Sequence, residues 1–362
     1  MAAMQRHTGD VIETPALVVD EAILDANIAR VAEFATRSGL NLRPHVKTHK
    51  SAEIARRQLE AGAIGITVAT LSEAEVFAEA GFTDIFVAYP LWIDEFKVDR
   101  LRHILQRSSV MLGVDSADGA RQIAQTGLAS AGRLSVLVEV DSGHHRSGVL
   151  PESAGAVAES TGDAGLEVAG VFTFPGHSYS PETRESAAGD EREALSVAAA
   201  SLADRGIQPR IVSGGSTPSL EFAGSSVLTE VRPGVYVFGD TQQWELGTFS
   251  PESIALTVLA TVVSRSPGRI ILDSGSKVLG ADRGAYSTGF GRLLDYPDAR
   301  VTALSEHHAT VTGVDFPLGT RVRVVPNHVC ATVNLADEYF VVRPNGSGGF
   351  DTWPIDARGR NR

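Results

Sequence analysis

The stretch Arg43-Pro44-His45-Val46-Lys47-Thr48-His49-Lys50 decides how the rest of the chain is read, because it puts two lysines and two histidines within eight residues. It follows Leu40-Asn41-Leu42 and leads straight into a helical pattern over 51–59. In an alternating α/β chain such a junction is the carboxyl end of a strand, where side chains face the mouth of a sheet or barrel. A lysine held there, part-buried among other cations, has its ammonium form destabilised by desolvation and by its neighbours. It is then a usable amine nucleophile. The plain alternative is a solvated surface lysine, and the octapeptide alone does not choose between the two.

Working outward from Lys47, short β-rich runs recur with helical segments between them. Strands are expected over 42–47, 64–69, 84–88, 110–114, 134–140, 167–173, 210–213 and 227–232, and the clearest helices over 71–80, 94–106, 151–160 and 183–205. Eight strands, each but the last followed by a crossover helix, are the tally of a (β/α)8 barrel of roughly 250 residues. An open doubly wound sheet usually has fewer strands. From Ser253 the pattern changes to apolar or alternating runs over 254–264, 269–273, 300–306, 309–312, 320–325 and 339–343, with no long helix. That is the signature of an all-β second domain. Ahead of the barrel, Thr14-Pro15-Ala16-Leu17-Val18-Val19 reads as a strand, with Asp20 placed to N-cap a helix over 21–37 that ends at Ser38-Gly39.

At 362 residues the chain is long enough for a barrel plus a second domain, and 43% hydrophobic with 21% charged residues is ordinary for a globular protein with a large core. The formal net charge of −12 argues against a nucleic-acid or anionic-membrane partner. The first seven residues lack the apolar core of a signal peptide, and no 18-residue uncharged apolar run is found. The single cysteine, Cys330, has no partner for an intrachain disulfide, which suits a reducing, cytoplasmic setting.

Three further stretches carry chemistry. Ile211-Val212-Ser213-Gly214-Gly215-Ser216-Thr217-Pro218-Ser219-Leu220 leaves the seventh strand through two glycines, with Thr217 placed to N-cap a helix and Pro218 at its first position. Glycines let backbone amides approach an anion, and barrels frequently bind phosphate with the loops after strands seven and eight, where Arg232-Pro233-Gly234-Val235-Tyr236 also falls. The alternative is an ordinary loop. The mouth loops 139–148 and 173–179 bring Arg146, His177 and Tyr179, with pairing of Arg146 to Asp141 and turn or cap roles for His177 and Tyr179 as the alternatives. In Val324-Val325-Pro326-Asn327-His328-Val329-Cys330, an extended chain would project His328 and Cys330 to one face. Nitrogen and sulfur donors form a half-site for zinc, and two protein ligands leave positions open for water and substrate. The competing reading is a buried cysteine beside a hydrogen-bonded histidine.

Pro44-His45-Val46-Lys47-Thr48-His49-Lys50, preceded by Thr14–Asp20, resembles the start of the D-threonine aldolase and D-serine dehydratase family, fold-type III pyridoxal-phosphate enzymes with an alanine-racemase-like barrel, and the resemblance runs nearly the whole chain. It implies that Lys47 carries the cofactor and that Ser216, Thr217, Gly234 and Tyr236 hold its phosphate, through backbone more than side chain. Arg146 would give a fixed cation to the phenolic oxygen; His177 and Tyr179, by their place in the mouth loop, could line the ring or the substrate. His328 and Cys330 would bind a divalent metal, with zinc favoured and manganese or another ion as alternatives. It further implies that residues 1–20 include a strand joining the β domain, with a barrel over 21–250, a β domain over 251–355 and a frayed tail over 356–362. Asp273 to Lys277 and Asp282-Arg283 read as structural or interface residues in a homodimer. The implied activity is a lyase acting on small 3-hydroxy D-amino acids. A cysteine at the metal pair leans to the dehydratase branch, since the aldolases more often pair histidine with aspartate. Aldolase-type cleavage is the alternative, with a racemase, a non-catalytic cofactor carrier and a metal hydrolase behind it. The histidine set for a hydrolase would be limited to His45, His49, His144, His145 and His177.

Overall fold

The structure is a computed structural model, which describes residues 12–343 and 349–362. It divides into two compact units, one of Val31–Lys47, Ala55–Gly234 and Arg360–Arg362, the other of Met1–Arg30, Thr48–Ile54 and Val235–Gly359.

The first unit is built on eight parallel strands: β2 (Asn41–Leu42), β3 (Ile66–Val68), β4 (Asp84–Pro90), β5 (Ser109–Val114), β6 (Leu134–Glu139), β7 (Glu167–Phe172), β8 (Ile211–Gly214) and β9 (Glu230–Val231). Their order runs β3 to β9 and then β2. The seam between β2 and β3 is closed by Ile64 N–H to Leu42 O (2.9 Å) and Thr67 N–H to Pro44 O (2.8 Å), so the sheet forms a barrel. Helices α2 (Ala52–Glu60), α3 (Leu71–Glu79), α4 (Glu95–Leu105), α5 (Ala117–Gln125), α6 (Ala154–Asp163) and α7 (Arg184–Ala203) follow β2 to β7. Their starts obey local chemistry: Thr70, Asp94 and Ser116 accept the N–H of Glu73, Lys97 and Gly119 and cap α3, α4 and α5. Inside the barrel Phe86, Met111, Leu137, Ala169 and Phe172 form a buried apolar cluster.

Two elements differ from the sequence expectation. The first barrel strand ends at Leu42, and Lys47 lies in a 3-10 turn, Val46–Thr48. Proline 44 has no N–H, so the ladder towards β3 loses a bond and thins to the single bridge His45–Thr67. The β9 side is unaffected: the N–H groups of Asn41, Arg43 and His45 donate to Thr229, Val231 and Pro233 at 2.9, 3.0 and 3.0 Å. After β8, the expected helix N-capped by Thr217 is absent, and a turn leads into a 3-10 segment, Leu220–Phe222. Within that turn Ser216 Oγ accepts from Ser219 N–H at 3.3 Å, and Ser219, the N-cap residue of the 3-10 segment, makes no side-chain capping bond.

The second unit is a nine-stranded sheet. Strands β10 (Leu256–Ser266), β11 (Arg269–Leu272), β14 (Ala309–Thr312), β13 (Tyr296–Leu304), β12 (Gly291–Leu293) and β15 (Arg321–Pro326) pair antiparallel in that order, and β15 returns to β10, which closes a small barrel. Strand β1 (Ala16–Asp20) pairs with β10 and, in parallel, with β16 (Glu338–Val342), which pairs with β17 (Phe350–Pro354). Asp20 accepts from Ile23 N–H at 3.1 Å at the start of α1 (Glu21–Arg37). Residues 356–362, expected to fray, are tied down. Ala357 is fully buried and donates to Lys50 O, Asp356 accepts from Ala52 N–H, and Arg362 O accepts from Ser72 N–H at 2.8 Å. Among the described residues no helix is long and apolar enough to cross a membrane.

Arg43 anchors β2 to its surroundings. Its guanidinium, nearly inaccessible, donates to the equally buried Glu230 at 3.1 Å and to Asp84 at 2.6 Å. Replacing one partner of a buried pair strands the other, which costs about 3–5 kcal/mol. Arg43→Met is therefore expected to lower the free energy of unfolding by that amount, as read by urea denaturation, and an effect below about 1 kcal/mol would contradict this account of the barrel.

Candidate active site

Lys47 leaves the barrel on the carboxyl side of β2, the face on which barrel strands carry chemistry. Its Nζ lies 5.9 Å from the centre of the Phe174 ring, and the Arg146 guanidinium lies 5.2 Å from the same centre. His144 meets that ring edge-on at 5.7 Å and Tyr179 lies tilted against it at 6.3 Å. The loops after β6 and β7 thus bring Lys47, Arg146 and Tyr179 round one aromatic ring. Arg146 faces Glu139 at 3.7 Å, and the alternative pairing with Asp141 is not made. Asp141 instead accepts from the backbone of Gly143 and His145 and holds the His145 ring at 2.7 Å. His177 pairs with Asp190 at 3.1 Å, and its Nδ1 is buried without a partner.

Positive charge accumulates at this mouth although the chain as a whole is acidic. Burial, and then the charges of Lys47, Arg232 and Arg146, hold the His45 imidazole well below its ordinary range, so that it is neutral. His144 is lowered by burial and by Arg146 and His177. Arg232 is buried between Phe86 and Phe172, 5.6 and 5.5 Å from their ring centres, and donates to Ser213 Oγ and Thr173 O. Glu139, at the end of β6, is buried with Oε2 unpartnered, and burial raises its carboxyl.

The loop after β8 is a second cluster. Ser216 Oγ lies 2.9 Å from Ser178 Oγ and 2.8 Å from Ser219 Oγ, three buried hydroxyls in a chain. Beside them the Thr217 hydroxyl is buried with no partner. Gly215 adopts φ +77°, a left-handed conformation that glycine takes without strain, and its N–H donates to Glu191 at 2.6 Å. Gly234 follows β9 at the half-buried end of Arg232-Pro233. Tyr236 is buried in the 3-10 turn Val235–Val237 of the other compact unit.

The structure corrects the extended reading of the His-x-Cys pair. His328 has extended backbone but is the N-cap residue of a short helix, Val329–Val333, on whose first turn Cys330 lies. The two side chains still come within hydrogen-bonding reach; burial lowers the His328 imidazole, but Cys330 and the Asp282 carboxylate outweigh it and raise the group well above its ordinary range. His328 Nδ1 lies 2.5 Å from Asp282 Oδ2, and Cys330 Sγ lies 3.3 Å from Thr48 Oγ1. The fully buried Asp240, pushed up to about 6 by burial, accepts from Val329 and Gln243 N–H and so fixes the start of the helix. Among the described residues, no three His, Cys, Asp or Glu side chains form a complete metal cage.

Asp282, grouped in the sequence with structural residues, therefore joins the candidate site, whereas Asp273 does hold structure, accepting from Thr14 and Thr261. Glu139, Arg232, Asp240 and Thr48 also emerge only in three dimensions. Glu191 sits in a run, Asp190-Glu191-Arg192-Glu193, that reads as a solvated helix face.

The comparisons with known proteins bear on this geometry. The family model for the N-terminal domain of alanine racemase matches residues 19–242, and that for a serine dehydratase domain matches 255–342. The chain belongs to this alanine-racemase-like family. It is 36% identical to D-threo-3-hydroxyaspartate dehydratase of Delftia sp. (strain HT23), over 94% of this chain and 97% of that one. It is 37% identical to D-threonine aldolase of Arthrobacter sp., over 97% and 94%. The solved structure of the Delftia dehydratase superposes with a TM-score of 0.89 at 35% identity, covering 97% of this chain and 99% of that chain. Two further solved structures of that enzyme, with TM-scores of 0.88 and 35% identity, cover 96% and 98% of this chain and 98% and 97% of theirs. One is a cysteine-to-alanine mutant in the metal-free form and the other a histidine-to-alanine mutant, and the two altered positions are two residues apart.

Burial raises the Glu191 carboxyl to about 7 from an ordinary 4.5, against the N–H of Gly215 and the charges of Arg232 and Arg192. A carboxyl whose folded pKa is raised favours folding while protonated. The advantage is complete below about pH 4.5 and disappears as pH rises through about 7. Stability is therefore expected to fall by on the order of 3 kcal/mol across that window from this group. Glu191→Gln should flatten this slope in denaturant titrations at fixed pH, and an unchanged slope in the variant would refute the assignment.

Proposed function

We propose that this chain is a pyridoxal-phosphate- and divalent-metal-dependent lyase of small 3-hydroxy D-amino acids, of the dehydratase kind, with net conversion to ammonia and a 2-oxo acid. The observation that carries the reading is the convergence of Lys47 and Arg146 on Phe174 in a barrel whose relatives over nearly full length include a 3-hydroxyaspartate dehydratase.

The residues present fit the cofactor. Its phosphate needs N–H and O–H donors, which a glycine-bearing loop with a buried, unpartnered Thr217 hydroxyl and the Ser178–Ser216–Ser219 chain supplies. The local cations suit its negative charge. Lys47 would hold it covalently, Ser216, Thr217, Gly234 and Tyr236 would hold the phosphate, Arg146 would face the phenolic oxygen and Tyr179 would line the ring. When bound, the group supplies an electron sink for the bond broken at Cα. Once displaced by the substrate's own amine, the Lys47 amine would take the Cα proton in dehydration, and the neutral His45 beside it adds no like charge to oppose that step. Glu139 holds the Arg146 side chain near the Phe174 ring.

A nitrogen and a sulfur donor fit zinc. His328 and Cys330 would hold the ion, which supplies a Lewis acid for the substrate hydroxyl. The histidine and cysteine altered in the Delftia mutants have the spacing of His328 and Cys330, and this supports the pair as ligands and the dehydratase over the aldolase. The aldolase reading is kept by the Arthrobacter relative, whose identity to this chain is just as high.

D-Threonine separates the two reactions: ammonia with 2-oxobutanoate is expected, whereas glycine with acetaldehyde would establish the aldolase. Borohydride reduction followed by peptide mass analysis should place a reduced pyridoxyl group on Lys47. Lys47→Ala should lose both the label and activity by about 10²–10⁴-fold or more. An unlabelled Lys47 peptide from cofactor-loaded protein would overturn the proposal.

A further inference from the structure

Each candidate metal donor has an outer partner that fixes its orientation. Asp282 Oδ2 lies 2.5 Å from His328 Nδ1, and the backbone carbonyl of Asp282 accepts from Asn327 Nδ2 at 3.0 Å, so the aspartate is tied to the residue that precedes the histidine. A ring that keeps its Nδ1 proton on a carboxylate presents Nε2 as its lone-pair nitrogen. The Asp282 bond therefore selects both the tautomer and the direction of the donor atom. On the other side, Thr48 Oγ1 lies 3.3 Å from Cys330 Sγ. Thr48 is fully buried in a turn, so its hydroxyl has little freedom to point elsewhere. Here the Cys330 thiol donates to the Thr48 hydroxyl; once the sulfur has lost its proton to hold a metal, the same contact would reverse, with the hydroxyl donating to the thiolate, drawing charge from it and fixing one of its lone-pair directions.

We propose that Asp282 and Thr48 are the positioning residues of a divalent metal site, Asp282 orienting His328 Nε2 and Thr48 orienting and electronically tuning the Cys330 thiolate. The inference rests on the metal reading under Proposed function and adds to it two residues that touch neither metal nor substrate. Outer partners of this kind change metal affinity by about 10–100-fold when removed. Thr48 also follows Lys47 directly in sequence, so one short turn would carry the amine and the group that tunes the sulfur donor.

The test uses cofactor-loaded protein stripped of metal and titrated with zinc against a chromophoric chelator, then with cobalt(II) for its spectrum. Asp282→Asn is expected to weaken zinc binding by about 10–100-fold and Asp282→Glu to recover part of the loss. Thr48→Val should shift the sulfur-to-cobalt charge-transfer band, and Thr48→Ser should restore it, a recovery that a purely structural role would not produce. The visible absorbance of the bound cofactor checks in each variant that the fold is retained. His328→Ala and Cys330→Ala distinguish the two levels of the argument. Zinc binding as tight as the parent's in both would overturn the metal reading and this inference with it. Loss of zinc in those two, with parental affinity and spectrum in Asp282→Asn and Thr48→Val, would overturn this inference alone.

Discussion

Three backbone hydrogen bonds fix where Lys47 emerges. The N–H groups of Asn41, Arg43 and His45 donate in turn to Thr229, Val231 and Pro233, each at about the length of a regular ladder bond. The lysine-bearing segment is thereby registered against the strand that delivers Arg232 and Gly234. Side chains alternate along an extended chain, so the same register sends Arg43 and His45 to one side of it. A slip of one residue would exchange those faces. The buried Arg43–Glu230 pair spans the same two strands, which couples the ladder to a specific side-chain contact.

Much of the barrel is legible in the sequence because its strands and helices announce themselves by period. The β4 and β5 runs are short, apolar and bounded by turn residues, and α3, α4 and α5 begin at Thr70, Asp94 and Ser116 in positions that capping chemistry anticipates. The misreadings have local causes. An X-Pro step shortens β2 without interrupting its hydrophobic pattern. At 216–219 two adjacent hydroxyl residues can each accept a backbone N–H of the turn, and Ser216 makes the bond. At 328–330 a single helical turn is shorter than any period that the pattern reveals. The tail at 356–362 has the composition of a frayed end, and the backbone bonds that hold it leave no mark in side-chain pattern.

The site's chemistry was partly legible for a different reason. Lys47, Arg146 and the His328–Cys330 pair belong to residue types whose reactivity is evident wherever they occur. Buried carboxylates are different. Glu191, Glu139 and Asp240 look in sequence like surface charges, and only burial turns them into groups with raised pKa values. Each stands beside a positive charge or a set of backbone N–H groups. Arg232 shows the balance: burial works against its charge, and Glu230, Glu191 and Glu139 offset that effect in part. A cation of this kind is tolerable inside a barrel because two aromatic faces and these carboxylates replace its water.

This balance bears on how one set of side chains serves either of two reactions. Dehydration and aldol cleavage both begin from a 3-hydroxy amino acid, and both need its hydroxyl polarised. They differ in whether Cα loses a proton or a carbon. The first needs a proton acceptor at Cα, the role proposed above for Lys47, and the second needs a proton returned to Cα once the carbon has left. The proposed metal partner of the histidine is a sulfur in this chain. A thiolate selects a softer ion than a carboxylate does and passes more charge to it. On the proposed reading the sulfur would tune a polarisation that both reactions share, while its presence ties the chain to the dehydratase relative whose altered histidine and cysteine have the same spacing.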